Sequence, residues 1–112
     1  MTMTPKVLEH YLLANGADHF AAWLDGLRDL HAKARILVRL ERLRLGHPGD
    51  IKALGKGLSE LRIDHGPGYR VYFGQVGRVV ILLLCGGDKA TQAKDIVVAR
   101  AYWEDYQRRV KP

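Results

Sequence analysis

The sequence contains one cysteine, Cys85, so no disulfide bond can form within the chain. Long apolar runs are also missing. The longest, residues 79–85, is far shorter than the roughly 18 residues that a membrane-spanning helix requires. Residues 1–6 lack the basic start and apolar stretch of a secretory signal. We therefore expect a cytoplasmic protein without membrane contact, formed by one domain of residues 1–112 with short disordered ends at 1–5 and 108–112.

Motifs of metal and cofactor chemistry are scarce. The five histidines show no spacing typical of metal ligands, and a single cysteine disfavours a zinc site. The segment 55–57 is too short for a phosphate-binding loop and lacks the Ser or Thr that would hold magnesium. The sequence therefore predicts neither a metal ion nor another cofactor.

Acidic residues are under-represented. The chain of 112 residues has 18 Lys and Arg against 12 Asp and Glu, a formal charge of +6. Most of the excess lies between residues 33 and 62, where the acidic residues are Glu41, Asp50 and Glu60. The basic residues there are Lys33, Arg35, Arg39, Arg42, Arg44, Lys52, Lys56 and Arg62. Such a cluster attracts nucleic acid or an acidic protein, although a solvated helix face that binds nothing gives the same pattern.

The spacing of apolar residues predicts a strand, two helices, three strands and a final helix. The first strand covers residues 6–13, and Asp18 is suited to cap the helix that follows. The second helix, over residues 32–45, has one apolar face and one basic face. The apolar face consists of Ile36, Leu37, Leu40 and Leu43, and the basic face of Arg35, Arg39 and Arg42.

After residue 57 the hydrophobic period changes to two, which is typical of strands. Strands are predicted over 58–64, 69–75 and 78–85, and Gly86-Gly87 is expected to end the last one. A helix over 91–107 completes an α+β fold, with a three-stranded antiparallel meander and all helices on one sheet face. The opposite face is expected to stay open.

Basic side chains and one tyrosine fall on that open face. Arg62 and Arg70 are predicted to be neighbours across a short turn, with Tyr72 on the same side. Lysines expected around its end are Lys56, Lys89 and Lys94. Arginines can hold a phosphate and stabilise charge developing on its oxygens, while a tyrosine can stack on an RNA base. An ordinary solvated sheet face is the alternative interpretation.

Metal-independent RNA cleavage would use the ribose 2′-OH as the nucleophile. This chemistry needs a general base, for which Glu60, Asp64, His65 and a lysine of lowered pKa are candidates.

Several motifs resemble one toxin family. They are Phe20–Leu27, Arg39–Leu43, Gly46–Asp50, Gly57-Leu-Ser-Glu-Leu-Arg62, Gly68-Tyr-Arg-Val-Tyr-Phe73 and Leu83-Leu-Cys-Gly-Gly-Asp-Lys89. Over residues 6–107 the chain resembles the addiction-module killer proteins of the HigB-like branch of the RelE/ParE toxin superfamily. This resemblance implies a RelE-like fold.

The resemblance also implies a type II toxin that is neutralised by a cognate antitoxin. In this branch the antitoxin often carries a helix-turn-helix domain, so operator DNA is bound only through the complex. RelE-type relatives cut mRNA on the ribosome and thereby inhibit translation. By the same resemblance Arg70 takes the place of the catalytic arginine, and Arg62 and Lys89 match basic residues of the site. The residues expected to bind RNA are Tyr72, Lys94, Lys56, Arg39 and Arg42.

Two positions depart from the RelE pattern. Glu60 stands where RelE has a lysine, and the tyrosine expected near the start of the last helix is absent, with Lys94-Asp95 in that region. Two alternatives therefore stay open: a ParE-like toxin that inhibits DNA gyrase without cutting nucleic acid, and a degenerate module that only binds an antitoxin.

Overall fold

The computed structural model describes residues 4–111, and within this range the chain forms five strands and three α-helices. Asp18 and Asp29 cap the first two helices by accepting hydrogen bonds from the backbone N–H groups of Ala21 and Ala32, at 2.9 and 3.1 Å. The cap predicted at Asp18 is confirmed. In chain order the elements are β1 (Val7–His10), α1 (His19–Asp25), α2 (Leu30–Arg44), β2 (Ile51–Gly55), β3 (Leu58–Ile63), β4 (Tyr69–Val76), β5 (Val80–Asp88), a 3-10 turn (Lys89–Thr91) and α3 (Gln92–Val110).

The strands form one mixed sheet in the order β1-β5-β4-β3-β2. Strands β2 to β5 are antiparallel neighbours, whereas β1 runs parallel to β5. The α+β class is confirmed, and the antiparallel meander has four strands rather than three. The strand missed by the sequence, β2, has mostly exposed side chains, so it carries no clear hydrophobic alternation and is held by backbone pairing with β3.

The helices cover both faces of the sheet, so the prediction that they all pack on one face is wrong. Helices α1 and α2 cover one face, where Ile36 and Leu40 pack with Val71 and Leu83. Helix α3 covers the other face, where Trp103 packs in a core that includes the following residues: Leu58, Tyr72, Leu82, Leu84 and Ala99. Successive residues of a strand point to opposite faces, so the uninterrupted apolar run of β5 leaves an apolar surface on each side.

Two element boundaries and the burial of one residue also differ from the prediction. Strand β5 continues through Gly86, Gly87 and Asp88, where it pairs with the start of β4. Helix α3 extends to Val110, so residues 108–110 are helical. Leu37, predicted to be buried, is half exposed because it lies away from the sheet-facing side of α2. The predicted disorder of residues 1–3 and 112 falls outside the described residues.

Two tryptophans pack directly against glycines of the sheet. The indole of Trp103 lies over Gly74 and that of Trp23 over Gly86, so a Cβ at either glycine would collide with the ring. The glycines therefore bring each helix close to a central strand. Within residues 4–111, none of the helices is both long and apolar enough to span a bilayer.

Candidate functional site

A buried carboxylate, that of Glu60, lies between the side chains of Arg62 and Arg70. Glu60 of β3 is 0% exposed, and α3 covers it from above. It accepts hydrogen bonds from Arg62 Nε at 3.0 Å, from Gln92 Nε2 at 2.8 Å and from the Tyr72 hydroxyl at 3.2 Å. Arg70 Nε lies 3.3 Å from Glu60 Oε1, although this ion pair lacks the angle of a hydrogen bond.

The protonation state of Glu60 follows from these contacts. Burial alone would raise the pKa of the carboxyl, because a charge is poorly solvated inside a protein. Hydrogen bonds from Gln92 and Arg62, together with the charges of Arg62 and Arg70, outweigh this effect and hold the pKa of Glu60 below its usual range. The residue is therefore an ionised counterion for two arginines at neutral pH.

Strand pairing places the two arginines side by side. Arg62 and Arg70 are direct partners in the register of β3 and β4, as the short turn between the strands predicted. Like charges in such positions repel each other, and the carboxylate of Glu60 offsets that repulsion. The Arg70 side chain is only 11% exposed, and its Nη1 also donates to the Gly68 carbonyl at 2.9 Å. Arg70 is thus held rigidly, with its guanidinium at the end of the strand.

A cleft of about 280 Å³ opens beside these arginines at the end of the sheet. The extension of β5 to Asp88 brings Lys89 to its rim, where the Lys89 Cβ lies next to Gly68. Asp88 fixes this turn by accepting hydrogen bonds from the N–H groups of Ala90 and Thr91. The cleft is lined by Asp50, Arg62, Ile63, Asp64, Gly68, Tyr69, Arg70 and Lys89. Arg62, Arg70 and Lys89, the three residues predicted to be catalytic, therefore line one cleft.

Tyr72 is not exposed, and its predicted position on an open face is wrong. The ring is fully buried beneath α3, and burial together with the neighbouring Glu60 raises the pKa of the phenol above its usual value. Alternation along β4 does place Tyr72 on the same face as Arg70, but α3 covers that part of the face. A ring in this position cannot stack on a base.

The predicted RNA-binding residues outside the cleft are dispersed. Arg39 is a structural residue, since its guanidinium donates to the backbone carbonyls of Arg62, Pro48 (2.9 Å) and Asp50 (3.2 Å). Lys56 lies in the β2–β3 turn, at the opposite end of β3 from Arg62. Arg42 is exposed on α2, across the sheet from α3, and Lys94 is exposed in the first turn of α3. Neither of these two lines the cleft.

The candidate general bases differ sharply in their surroundings. Glu60 is a poor proton acceptor because it is buried, ionised by strong partners and already bonded through both oxygens. His65 Nε2 lies 3.1 Å from Asp29 Oδ2, where it ties the β3–β4 turn to the start of α2 rather than lining the cleft. Asp64 is exposed and lines the cleft. Of the three, only Asp64 is accessible to a ligand in the cleft.

Two residues of the site were missed from the sequence. Gln92, the first residue of α3, makes the shortest hydrogen bond to Glu60, and Asp50 lines the cleft from the loop before β2. Neither is one of the apolar residues that form a periodic pattern. The sequence does contain one signal for Gln92. It stands at helical spacing before the apolar residues Ile96, Ala99 and Trp103, so it lies on the side of α3 that faces the sheet.

Comparison with known proteins identifies the family. A family model for phage derived protein Gp49-like (DUF891) matches residues 22–104. The chain belongs to the Gp49-like family. This is a toxin–antitoxin-associated, RelE-like addiction-module family, which implies a cognate antitoxin as a partner. The matched segment contains the entire cleft, Glu60 and Gln92.

A relative from Haemophilus influenzae, described as an uncharacterized protein, is 53% identical over 81 residues. The aligned part covers 72% of this chain and 82% of the relative. The match to the Gp49-like family model confirms, at the level of the family, the toxin–antitoxin association expected from the sequence.

Proposed function

We propose that this Gp49-like chain is a HigB-like toxin that cleaves mRNA on the ribosome without a metal ion and so inhibits translation. The observation that carries the proposal is the cleft itself. Arg62, Arg70 and Lys89 all line this cleft, which lies at one end of the sheet. Helices cover the two faces of the sheet elsewhere. Three cations around one cleft match the needs of a scissile phosphate.

The reaction we propose is an internal transesterification. The 2′-oxygen of one nucleotide attacks the adjacent phosphorus, the bond from phosphorus to the 5′-oxygen breaks, and a 2′,3′-cyclic phosphate and a free 5′-hydroxyl result. Arg62, Arg70 and Lys89 stabilise the negative charge that develops on the phosphoryl oxygens. The 2′-OH proton passes to the Asp64 carboxylate, and water supplies a proton to the leaving 5′-oxygen.

Glu60 supports this chemistry indirectly. Its carboxylate accepts a hydrogen bond from Arg62 and forms an ion pair with Arg70. Both guanidinium groups are therefore held in position in the absence of RNA. Pre-organised charge stabilises a transition state more effectively than charge that must first rearrange. In this scheme Glu60 is a positioning residue and does not touch the substrate.

The proposal is tested by inducing the chain without its antitoxin in translating cells and mapping the 5′ ends of the transcripts. We expect cuts within the codons of translated messages. Intact mRNA combined with DNA-damage signalling would identify a gyrase inhibitor instead, and unimpaired growth would identify a degenerate module.

A matched pair of lysine variants links any cleavage to the cleft. Lys89 and Lys111 are both exposed, but only Lys89 lines the cleft. We expect Lys89→Gln to reduce the frequency of cuts at least tenfold and Lys111→Gln to change it less than twofold. Equal effects of the two substitutions would exclude the cleft as the site of cleavage.

A further inference from the structure

Helix α2 has a second apolar face that the fold leaves uncovered. Its sheet-facing residues, such as Ile36 and Leu40, are buried, as expected for a helix packed on a sheet. On the outer side Leu30 is 74% exposed, and Leu37, Val38 and the following Leu45 are each about half exposed. Leu37 and Val38 follow Leu30 by seven and eight positions and precede Leu45 by eight and seven, so the four residues line up along one side of the helix. We call them the α2 stripe.

Basic residues border the α2 stripe on both sides. Arg35 and Arg42 form one border, two helical turns apart, and Lys33 and Arg44 lie along the other. The stripe also contains one exposed acidic residue, Glu41, which lies between Leu37 and Leu45 on the same side of α2, and its charge is paired with Arg44 at 2.7 Å. Within residues 4–111 the structure gives the Arg35 and Arg42 side chains no hydrogen bond or ion pair, so these two charges are available to a partner.

A groove connects the α2 stripe with the end of the sheet. It has a volume of about 400 Å³ and is lined by Ala34, Arg35, Val38, Arg39, Arg42, Ile63 and Asp64. Ile63 and Asp64 also line the basic cleft. A chain that occupies the groove therefore lies beside the proposed site of cleavage.

The charges of the surface select among possible occupants. A second copy of this chain would bring Arg35 and Arg42 against their own counterparts, because a two-fold interface pairs a patch with itself, and each chain already carries +6. RNA would satisfy the arginines but leave the leucines and valine exposed to water. An amphipathic helix with an apolar stripe and acidic borders satisfies both requirements.

We infer that the α2 stripe, with Arg35 and Arg42, is the docking surface for an acidic amphipathic helix of the cognate antitoxin. The antitoxin chain continues from this helix through the groove and covers the cleft. The inference rests on the proposed toxin function insofar as it requires an antitoxin, but it does not depend on RNA cleavage. It also gives Arg42 a role in binding protein rather than RNA.

The test uses the full chain and the purified antitoxin encoded beside it, with affinity measured by titration calorimetry in the absence of RNA. We expect Leu37→Glu combined with Val38→Glu to weaken binding at least 100-fold. The matched control is Val97→Glu on α3, which is 70% exposed and lies off the stripe, and we expect it to change the affinity less than twofold.

A second pair of variants isolates the charge. We expect Arg35→Glu combined with Arg42→Glu to weaken binding at least tenfold and to reduce its salt dependence, whereas Arg78→Glu, in the exposed β4–β5 turn, leaves both unchanged. Thermal unfolding of every variant verifies that the fold is retained.

Three outcomes would overturn the inference. Wild-type affinity in the stripe variants would place the antitoxin elsewhere. Dimers of the isolated chain in sedimentation, lost in the Leu37→Glu and Val38→Glu variant, would make a second copy the occupant. Loss of RNA cleavage in the Arg35→Glu and Arg42→Glu variant, with antitoxin binding intact, would assign the surface to RNA. Absence of cleavage by the wild-type chain would refute the proposed nuclease but not this docking site.

Discussion

Arg62 and Arg70 are direct cross-strand partners, and both form ion pairs with the same buried carboxylate, that of Glu60. The pairing brings two guanidinium groups together, and Glu60 removes most of the repulsion between them. A cleft built in this way can hold a phosphate with rigid donors without destabilising the sheet that carries them. The counterion is therefore as important to the site as the cations.

Replacing Glu60 by Gln should destabilise the protein. The substitution removes the shared negative charge and leaves Arg62 and Arg70 facing each other. Breaking a buried ion pair on one side costs about 3–5 kcal/mol, and we expect about 3 kcal/mol here because Gln retains a hydrogen-bond acceptor and Arg62 is partly exposed. The measurement is urea unfolding at pH 7. As a matched control, Glu41→Gln removes a solvent-exposed pair with Arg44 and should change stability little.

The same substitution should alter the response to acid. A carboxyl whose folded-state pKa lies below its unfolded value of 4.5 stabilises the fold at neutral pH, and this contribution is lost as the pH falls through the folded-state pKa. The free energy of unfolding of the wild type should therefore decrease more steeply below pH 4.5 than that of the Glu60→Gln variant. Parallel pH dependences would show that folding does not shift the pKa of Glu60, and a steeper decrease in the variant would show that the carboxyl is protonated in the folded protein.

Arg70→Lys tests the geometry of the cleft rather than its charge. Lysine preserves the counterion of Glu60 but lacks the planar fork and the hydrogen bond from Nη1 to Gly68. We expect RNA cleavage to fall about 100-fold, the cost of losing one transition-state donor, while the free energy of unfolding decreases by only about 1 kcal/mol. Alanine is a weaker test, because it also removes a charge that stabilises buried Glu60. Wild-type cleavage by the Lys variant would mean that a positive charge alone is sufficient.

The cations of the cleft could be predicted from sequence because they depend on local pairing. The turn over residues 65–68 fixes the register of β3 and β4, and this register alone makes Arg62 and Arg70 neighbours. The apolar face of α2 at Ile36, Leu40 and Leu43 was likewise encoded in helical spacing.

Local patterns could not predict which part of the sheet face with Arg70 and Tyr72 is covered by α3. Arg70 and Tyr72 share a face by alternation, yet α3 buries the ring of Tyr72 and leaves the end of the strand open. The position of α3 is set by the extension of β5 and by the packing of Trp103 on Gly74. Both are tertiary features. The contact between Gln92 and Glu60 depends on the same placement: helical spacing can place Gln92 on the sheet-facing side of α3, but it does not identify Glu60 as the partner.

Cys85 should be chemically inert in the folded protein. Burial, reinforced by the nearby Asp95, raises the pKa of its thiol to about 12, and the sulfur lies 3.9 Å from the Asp95 carbonyl. Since the thiolate is the reactive form, a disulfide reagent at pH 8 should modify Cys85 only after unfolding in urea. The thiol introduced by Ala93→Cys at an exposed position of α3, in a Cys85→Ala background, provides the reactive control. Rapid labelling of native Cys85 would indicate that α3 separates readily from the sheet.

Gly74→Ala should test how closely α3 packs on the sheet. The backbone of Gly74 suits any residue, since its φ angle is not positive, so only the collision of the new methyl group with Trp103 opposes the change. Overpacking of this kind costs about 1–3 kcal/mol, because the ring must move and the hydrogen bond from Trp103 Nε1 to the Lys56 carbonyl, 2.8 Å long, is strained.

A double-mutant cycle can test whether the indole of Trp103 is what opposes the Gly74→Ala substitution. Trp103→Leu destabilises the protein by itself, but Gly74→Ala should then add little, because leucine leaves room for the methyl group. Urea unfolding of the four proteins gives the coupling energy between the two positions. Additive effects would show that the alanine is tolerated by a shift of the strand rather than opposed by the indole. A cost that disappears with the indole would instead establish that direct contact between Trp103 and Gly74 sets the distance of α3 from the sheet, and hence the position of Gln92 above Glu60.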